Sequence, residues 1–201
     1  MNANIQSWIT KYVQDLKTEL DNIDTNKIEC AVNILKSAHN NSNRIYVIGN
    51  GGSASTATHI ASDLCKTVKG HKGDSIWKGF KAISLSDNVS CLTAWGNDTG
   101  YENIYAGQID NLADPGDVLI AISSSGNSHN IINAINKARE NQMKIITVSG
   151  FGGGKISEMG DVSIVSNLHH YGPVEDMQLI INHIFTFYFY DLFEHEATST
   201  N

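Results

Sequence analysis

No stretch of this 201-residue chain approaches the roughly 20 consecutive apolar residues that a membrane-crossing helix needs. Arginine is almost missing: Arg44 and Arg139 are the only two, no basic run exists, and the net charge is −7. A nucleic-acid groove requires a concentrated positive footprint, so direct binding to DNA or RNA is not expected. The opening residues Met1 to Ser7 lack a positive region followed by an apolar core, which argues against secretion. Cysteine is scarce too. Cys30, Cys65 and Cys91 are odd in number and lack metal-ligand spacing, so they read as reduced thiols in a cytoplasmic protein. With arginine this rare, a bound anion must be held by backbone N–H groups and hydroxyls.

What is present is an ordinary globular balance, 41% hydrophobic and 17% charged, in a length that suits one domain with one core. Ile5, Trp8, Ile9, Tyr12, Val13, Leu16 and Leu20 recur at three- and four-residue intervals, which predicts a helix. Ile28, Ala31, Val32, Ile34, Leu35 and Ala38 predict a second one. Two amphipathic helices cannot both bury their faces on one small sheet, so part of that surface is expected to meet another subunit.

From Arg44 the chain alternates. Strands are predicted over 44–48, 80–85, 118–122, 143–148 and 162–165, and helices over 54–69, 130–141 and 173–193. Short β-branched strands separated by helices predict an α/β fold: a five-stranded parallel sheet covered on both faces, Rossmann- or flavodoxin-like, with ligands at the carboxyl ends of its strands. The expected division is a helical pair over residues 1–40, the sheet domain over 41–195, and a tail over 196–201. The longest irregular piece is expected over 70–79, with fraying from Glu194.

Two loops carry the chemistry. Gly49-Asn50-Gly51-Gly52-Ser53-Ala54-Ser55 follows the first strand and opens a helix. Glycines admit close backbone approach, and a helix N-terminus offers free N–H groups and a positive dipole end to an anion. A serine-capped tight turn would account for this loop alone. A dinucleotide site would also fit, since Gly49, Gly51 and Ala54 satisfy G-x-G-x-x-A. However, that reading wants an acidic residue about 20 residues on, where Gly70-His71-Lys72-Gly73-Asp74 reads as loop, and Asp87 comes late. The second loop, Ser123-Ser124-Ser125-Gly126-Asn127-Ser128, again lies between strand and helix. An N-cap at Ser128 explains one of its serines and not the run of three. Two hydroxyl-rich cradles suit a phosphate joined to a polyhydroxylated chain.

His59 and Asp63, four apart on the helix leaving the first loop, share a face, as a solvent-facing pair or as part of a site. Glu175 and His183 are eight apart on the last helix, with Asp176 and Gln178 expected to point elsewhere. His183 lies among Ile180, Ile181, Ile184 and Phe185, where a core histidine is the plainer alternative.

Strand-GNGGSAS-helix, strand-SLSD, GND and PGDVLIAISSSGNS together resemble the sugar isomerase (SIS) domain family, in its phosphoheptose isomerase branch, over about residues 40–190. The resemblance implies isomerisation of sedoheptulose 7-phosphate to D-glycero-D-manno-heptose 7-phosphate through a cis-enediol. It also implies a homotetramer with active sites between subunits, and a phosphorylated sugar as partner. Ser53, Ser123, Ser124, Ser125 and Ser128 would hold phosphate, with Gly51 and Gly52 in the same cradle. Asn50, Asp87, Asn97 and Asp98 would contact or shape the sugar site.

By the same likeness Asp63 and His183 are the acid/base pair, and His59, Asp63, Glu175 and His183 bind Zn2+. The family pattern has glutamate at 63 and glutamine at 175; the shorter Asp63 sets the carboxylate back by one methylene, and Glu175 adds an anion that favours a cation. Three alternatives stay open: an isomerase of another ketose phosphate, a non-catalytic tetrameric adaptor for the bacterial replication initiator, and a sugar-phosphate-sensing regulator. The adaptor-type relatives lose the acidic residue that Asp63 supplies here. A regulator would be expected to carry a DNA-binding segment, which these residues do not include.

Overall fold

A computed structural model describes residues 4–69 and 77–199. The five strands, β1 (Arg44–Ile48), β2 (Lys81–Ser84), β3 (Val118–Ser123), β4 (Lys144–Ser149) and β5 (Val162–Val165), form one parallel sheet in the order β2-β1-β3-β4-β5. This is the flavodoxin-type order, as the alternation of short apolar strands and helices predicts. Successive strand residues point to opposite faces, and each face has its own core. Ile45, Val47, Ile120 and Ile146 meet one layer of helices, whereas Tyr46, Ile48, Leu119 and Ile145 meet the other.

The first layer contains α2 (Thr25–Asn40), α3 (Gly52–Ser62) and α7 (Tyr171–Ser199); the second contains α5 (Ala106–Leu112) and α6 (His129–Glu140). Helix α2 starts at Asp24, whose carboxylate accepts from the backbone N–H of Asn26 and Lys27, and it buries Ala31, Val32, Leu35 and Ala38. Helix α1 (Ile5–Asp21) buries no residue, and Ile5, Trp8, Ile9 and Val13 stay exposed. It is fastened to the body by Tyr12, which donates to Asp176 at 2.5 Å, and by Glu19, which accepts from the Asn167 backbone N–H at 2.7 Å. Of the two N-terminal helices, then, α2 covers the sheet and α1 is the one left with an uncovered apolar stripe. Among the described residues no helix is long and apolar enough to cross a membrane.

Two expectations need correction. The stretch from Ser86 to Asp117, for which the periodicity predicts nothing, holds α4 (Val89–Thr99), a 3-10 turn (Tyr101–Asn103) and α5. Helix α4 buries no residue fully and rests on the second core through the partly buried Leu92 and Trp95, too short a stripe to stand out; Asn88 caps it by accepting from the Cys91 N–H. The chain also does not fray at Glu194, because α7 runs to Ser199. Phe193 is buried and stacks on His39, Lys36 pairs with Glu196, and the Thr198 and Ser199 hydroxyls return to carbonyls of the preceding turn. The irregular piece expected over 70–79 falls mostly outside the described residues.

Candidate active site

Strand order decides where the site sits. Leaving β1 the chain crosses to β2 through α3 on one face; leaving β3 it crosses to β4 through α6 on the other. Because β1 and β3 are neighbours, the loops at their carboxyl ends diverge and leave a crevice between them. The two sequence loops open onto this crevice, a cleft of about 270 Å3. Asn50, Gly51, Gly52 and Ser53 line it from the first loop, Ser123, Ser124, Ser125 and Ser128 from the second, and Glu175 from α7. Tyr171, at the start of α7, also lines it and was not singled out by sequence. Among the described lining residues there is no lysine or arginine.

The local geometry suits an anion. Gly51 occupies the N-cap of α3 with φ +55°, and no side chain caps that helix. Ser128 occupies the N-cap of α6, but its hydroxyl does not cap the helix either; it faces the Ser123 hydroxyl at 3.3 Å. Ser123 in turn accepts from the Gly126 N–H at 3.1 Å. Two helix N-termini and several hydroxyls therefore converge where no cation is present. Gly52 has a distinct reason to be glycine: a Cβ there would lie 2.3 Å from Glu175 Oε1, so the α7 carboxylate rests directly over this backbone.

Asn50 is braced within the protein. It exchanges reciprocal amide hydrogen bonds with Asn130 at 2.9 and 2.8 Å, and its Oδ1 also accepts from Tyr101 at 3.1 Å. The expectation for Gln178 is overturned. Three residues after Glu175 it shares that face of α7, lies buried, accepts from Ser53 Oγ at 3.2 Å and donates to Ser124 Oγ at 3.3 Å. Asp176 does point elsewhere, towards Tyr12, and this contact, before burial, pushes the Tyr12 hydroxyl pKa up to about 12.

His59, Asp63 and His183 come together as a second cluster, with one ligand atom from each lying within 4.8 Å of the others. His59 Nε2 is 3.3 Å and His183 Nε2 is 3.9 Å from the same oxygen, Asp63 Oδ2. Both imidazoles are half-exposed in this chain, so His183 is not a core histidine, and the buried Asp63 is not a solvent-facing partner of His59. Asp63 opens a π-helical turn (Asp63–Thr67), a local widening of the helix often found at functional sites. Its carboxylate is tightly held: Thr67 donates to Oδ1 at 2.9 Å and Asn182 to Oδ2 at 2.8 Å. Asn182 was invisible in the sequence because it sits inside an apolar run.

Two imidazole nitrogens and a carboxylate oxygen are a donor set that suits zinc, with a coordination position left for a ligand. Glu175, expected as a fourth ligand, does not fall in this group. Eight residues overshoot two helical turns by about 80°, so Glu175 turns to the cleft while His183 faces Asp63. Asp87, Asn97 and Asp98 are likewise not among the cleft-lining residues. Asp87 is exposed and accepts from Thr58, Asn97 donates to Asp98 at 2.8 Å on the outside of α4, and Asp98 lines a separate groove with Cys91, Trp95 and Thr99.

Comparison with known proteins agrees with this architecture. The family profile described as SIS domain matches residues 9–150. A phosphoheptose isomerase from Helicobacter pylori (strain P12) is 36% identical over 180 residues, which is 90% of this chain and 91% of the relative. The structure of a phosphoheptose isomerase from Francisella tularensis matches with a TM-score of 0.84 at 26% identity, over 93% of this chain and 96% of that one. The corresponding protein from Neisseria gonorrhoeae gives a TM-score of 0.80 at 28% identity, over 92% and 96%. The chain belongs to the SIS domain family, in its phosphoheptose isomerase branch.

Proposed function

We propose that this protein is an aldose–ketose isomerase that interconverts sedoheptulose 7-phosphate and D-glycero-D-manno-heptose 7-phosphate. The observation that carries the reading is the pairing of a hydroxyl-lined cleft without lysine or arginine at the β1/β3 crevice with a His59–Asp63–His183 cluster further along the elements that line it, α3 with its π-helical continuation and α7. The names borne by its relatives supply the sugar.

In this reading Ser123, Ser124, Ser125, Ser128 and Ser53, with the N-termini of α3 and α6, hold the phosphate and so fix the far end of the sugar chain. Glu175, Asn50 and the Gly51-Gly52 backbone face the hydroxyls. Asp63 takes the proton from C1 of the ketose, and His183 moves protons between O1 and O2, so that an enediol forms and C2 is reprotonated to give the aldose. His59, Asp63 and His183 are the side chains that would hold Zn2+. When bound, the ion supplies electrostatic stabilisation for negative charge developing on the substrate oxygens. Assembly into a homotetramer completes the site: the uncovered stripe of α1 and the exposed Ile184, Phe187 and Tyr188 beside His183 are surfaces for neighbouring subunits, whose Asp87, Asn97 and Asp98 then approach the sugar. A cytoplasmic location fits a phosphorylated substrate and three free thiols.

The test is incubation with sedoheptulose 7-phosphate beside a panel of five- and six-carbon ketose phosphates, with and without a chelator. Aldose 7-phosphate formation that falls on chelation and returns with Zn2+ is the expected result. Preferred turnover of a shorter ketose would overturn the substrate, and full activity after exhaustive chelation would overturn the metal.

A further inference from the structure

Helix α7 carries a stripe that its apolar character does not explain. Gln178, Asn182 and Thr186 follow one another at four-residue spacing and are only 2%, 0% and 0% exposed, alongside the buried Met177, Ile181, Phe185 and Phe189. Burying polar groups is unfavourable unless they are hydrogen-bonded, and apolar residues would fill these positions without that cost. Each of the three is bonded, and each bond leads to the site. Gln178 bridges Ser53 of the first loop and Ser124 of the second. Asn182 donates to Asp63, and its own Oδ1 accepts from Thr186 at 3.4 Å, which turns the amide so that its N–H group faces the carboxylate.

We propose that this stripe is a positioning spine with two separable duties. Gln178 sets the spacing of the two anion-binding loops, and Asn182, oriented by Thr186, aims the Asp63 carboxylate. Neither is a catalytic residue; both act through groups that touch the substrate. Because the two amides are four residues apart on a single helix, with about 6 Å of rise between them, the phosphate cradle and the acid/base cluster are both referred to the same rigid element. The proposal rests on the isomerase reading for its kinetic form and on geometry alone for its binding form.

The experiment compares Gln178→Leu, Asn182→Leu and Thr186→Val, with thermal unfolding recorded for each. Gln178→Leu leaves Ser53 and Ser124 without their shared partner. It is expected to raise KM and the Kd for inorganic phosphate about tenfold or more, with kcat within about threefold of the parent. Asn182→Leu is expected to lower kcat about tenfold or more and to weaken Zn2+ binding in equilibrium dialysis, while KM and phosphate affinity hold. Thr186→Val should follow Asn182→Leu in direction with a smaller effect. If a leucine variant fails to fold, Gln178→Met and Thr186→Val provide the same contrast.

Parallel changes in kcat, KM and both affinities, tracking the loss of stability, would overturn the proposal, as would no change in any of them. Should the parent protein turn over no heptulose phosphate, the isomerase reading falls but the spine remains testable. Loss of phosphate binding only in the Gln178 variant, and of Zn2+ binding only in the Asn182 variant, would then support it; loss of both in both would end it.

Discussion

His183 presents a half-exposed imidazole to a buried carboxylate whose two oxygens are each held by another hydrogen bond, so its removal should affect chemistry far more than folding. His183→Ala is expected to lower kcat by about 10²–10⁴-fold, the span of general acid–base contributions, with the unfolding temperature nearly unchanged. Near-normal turnover in that variant would remove His183 from the reaction. Gly52 gives a second test. The three atoms nearest an alanine Cβ there all belong to the Glu175 carboxylate, the movable end of a side chain, so Gly52→Ala should fold and yet displace Glu175 from the cleft. The measurable consequence is a raised KM for the sugar phosphate without loss of thermal stability. An unchanged KM would mean that Glu175 does not face the substrate.

At the scale of elements, α1 is held by few contacts, of which Tyr12 to Asp176 is one, and that bond gives it a pH signature. The Tyr12 hydroxyl has its pKa raised from near 10 to about 12, first by donating to Asp176 and then by burial. The folded state therefore binds this proton more tightly than the unfolded chain does. Its contribution is complete below about pH 10 and fades as pH rises towards about 12, because stability falls where the unfolded state binds fewer protons. Tyr12→Phe should lower stability at neutral pH and flatten the decline between pH 10 and 12, as read by urea unfolding across that range. An identical slope in both proteins would contradict the assignment.

The same scale shows what the sequence made legible. The five strands, the helices carrying an apolar stripe and both loops follow from local pattern, since burial on a parallel sheet writes itself into every residue of a strand. Helix α4 escaped because only Leu92 and Trp95 are partly covered on it, and α5 because seven residues are too short for a periodicity. Gln178 and Asn182 were hidden for the opposite reason: on a helix buried from two sides, a polar residue aimed at the site and one aimed at solvent look alike until the partner loops are placed. His59, Asp63 and His183 were readable only as types and spacings, and the shared oxygen of Asp63 required the fold.

For the whole molecule, the exposed Ile5, Trp8, Ile9 and Val13 on α1 set the expectation for assembly. Trp8→Glu combined with Ile9→Glu places two charges in that stripe without touching the core of the chain. If the proposed homotetramer forms through this stripe, the double variant should sediment as a smaller species than the parent protein and lose activity with its assembly, as sedimentation velocity and turnover would record together. A parent protein that sediments as a monomer, or a variant that stays assembled, would refute this part of the account. The claim on which everything else depends is the isomerisation. It is tested most directly by incubating the zinc-supplemented protein with sedoheptulose 7-phosphate in D2O and following the products by NMR. The account predicts an aldose heptose 7-phosphate carrying solvent deuterium at C2; a folded, phosphate-binding protein that yields no aldose would contradict it.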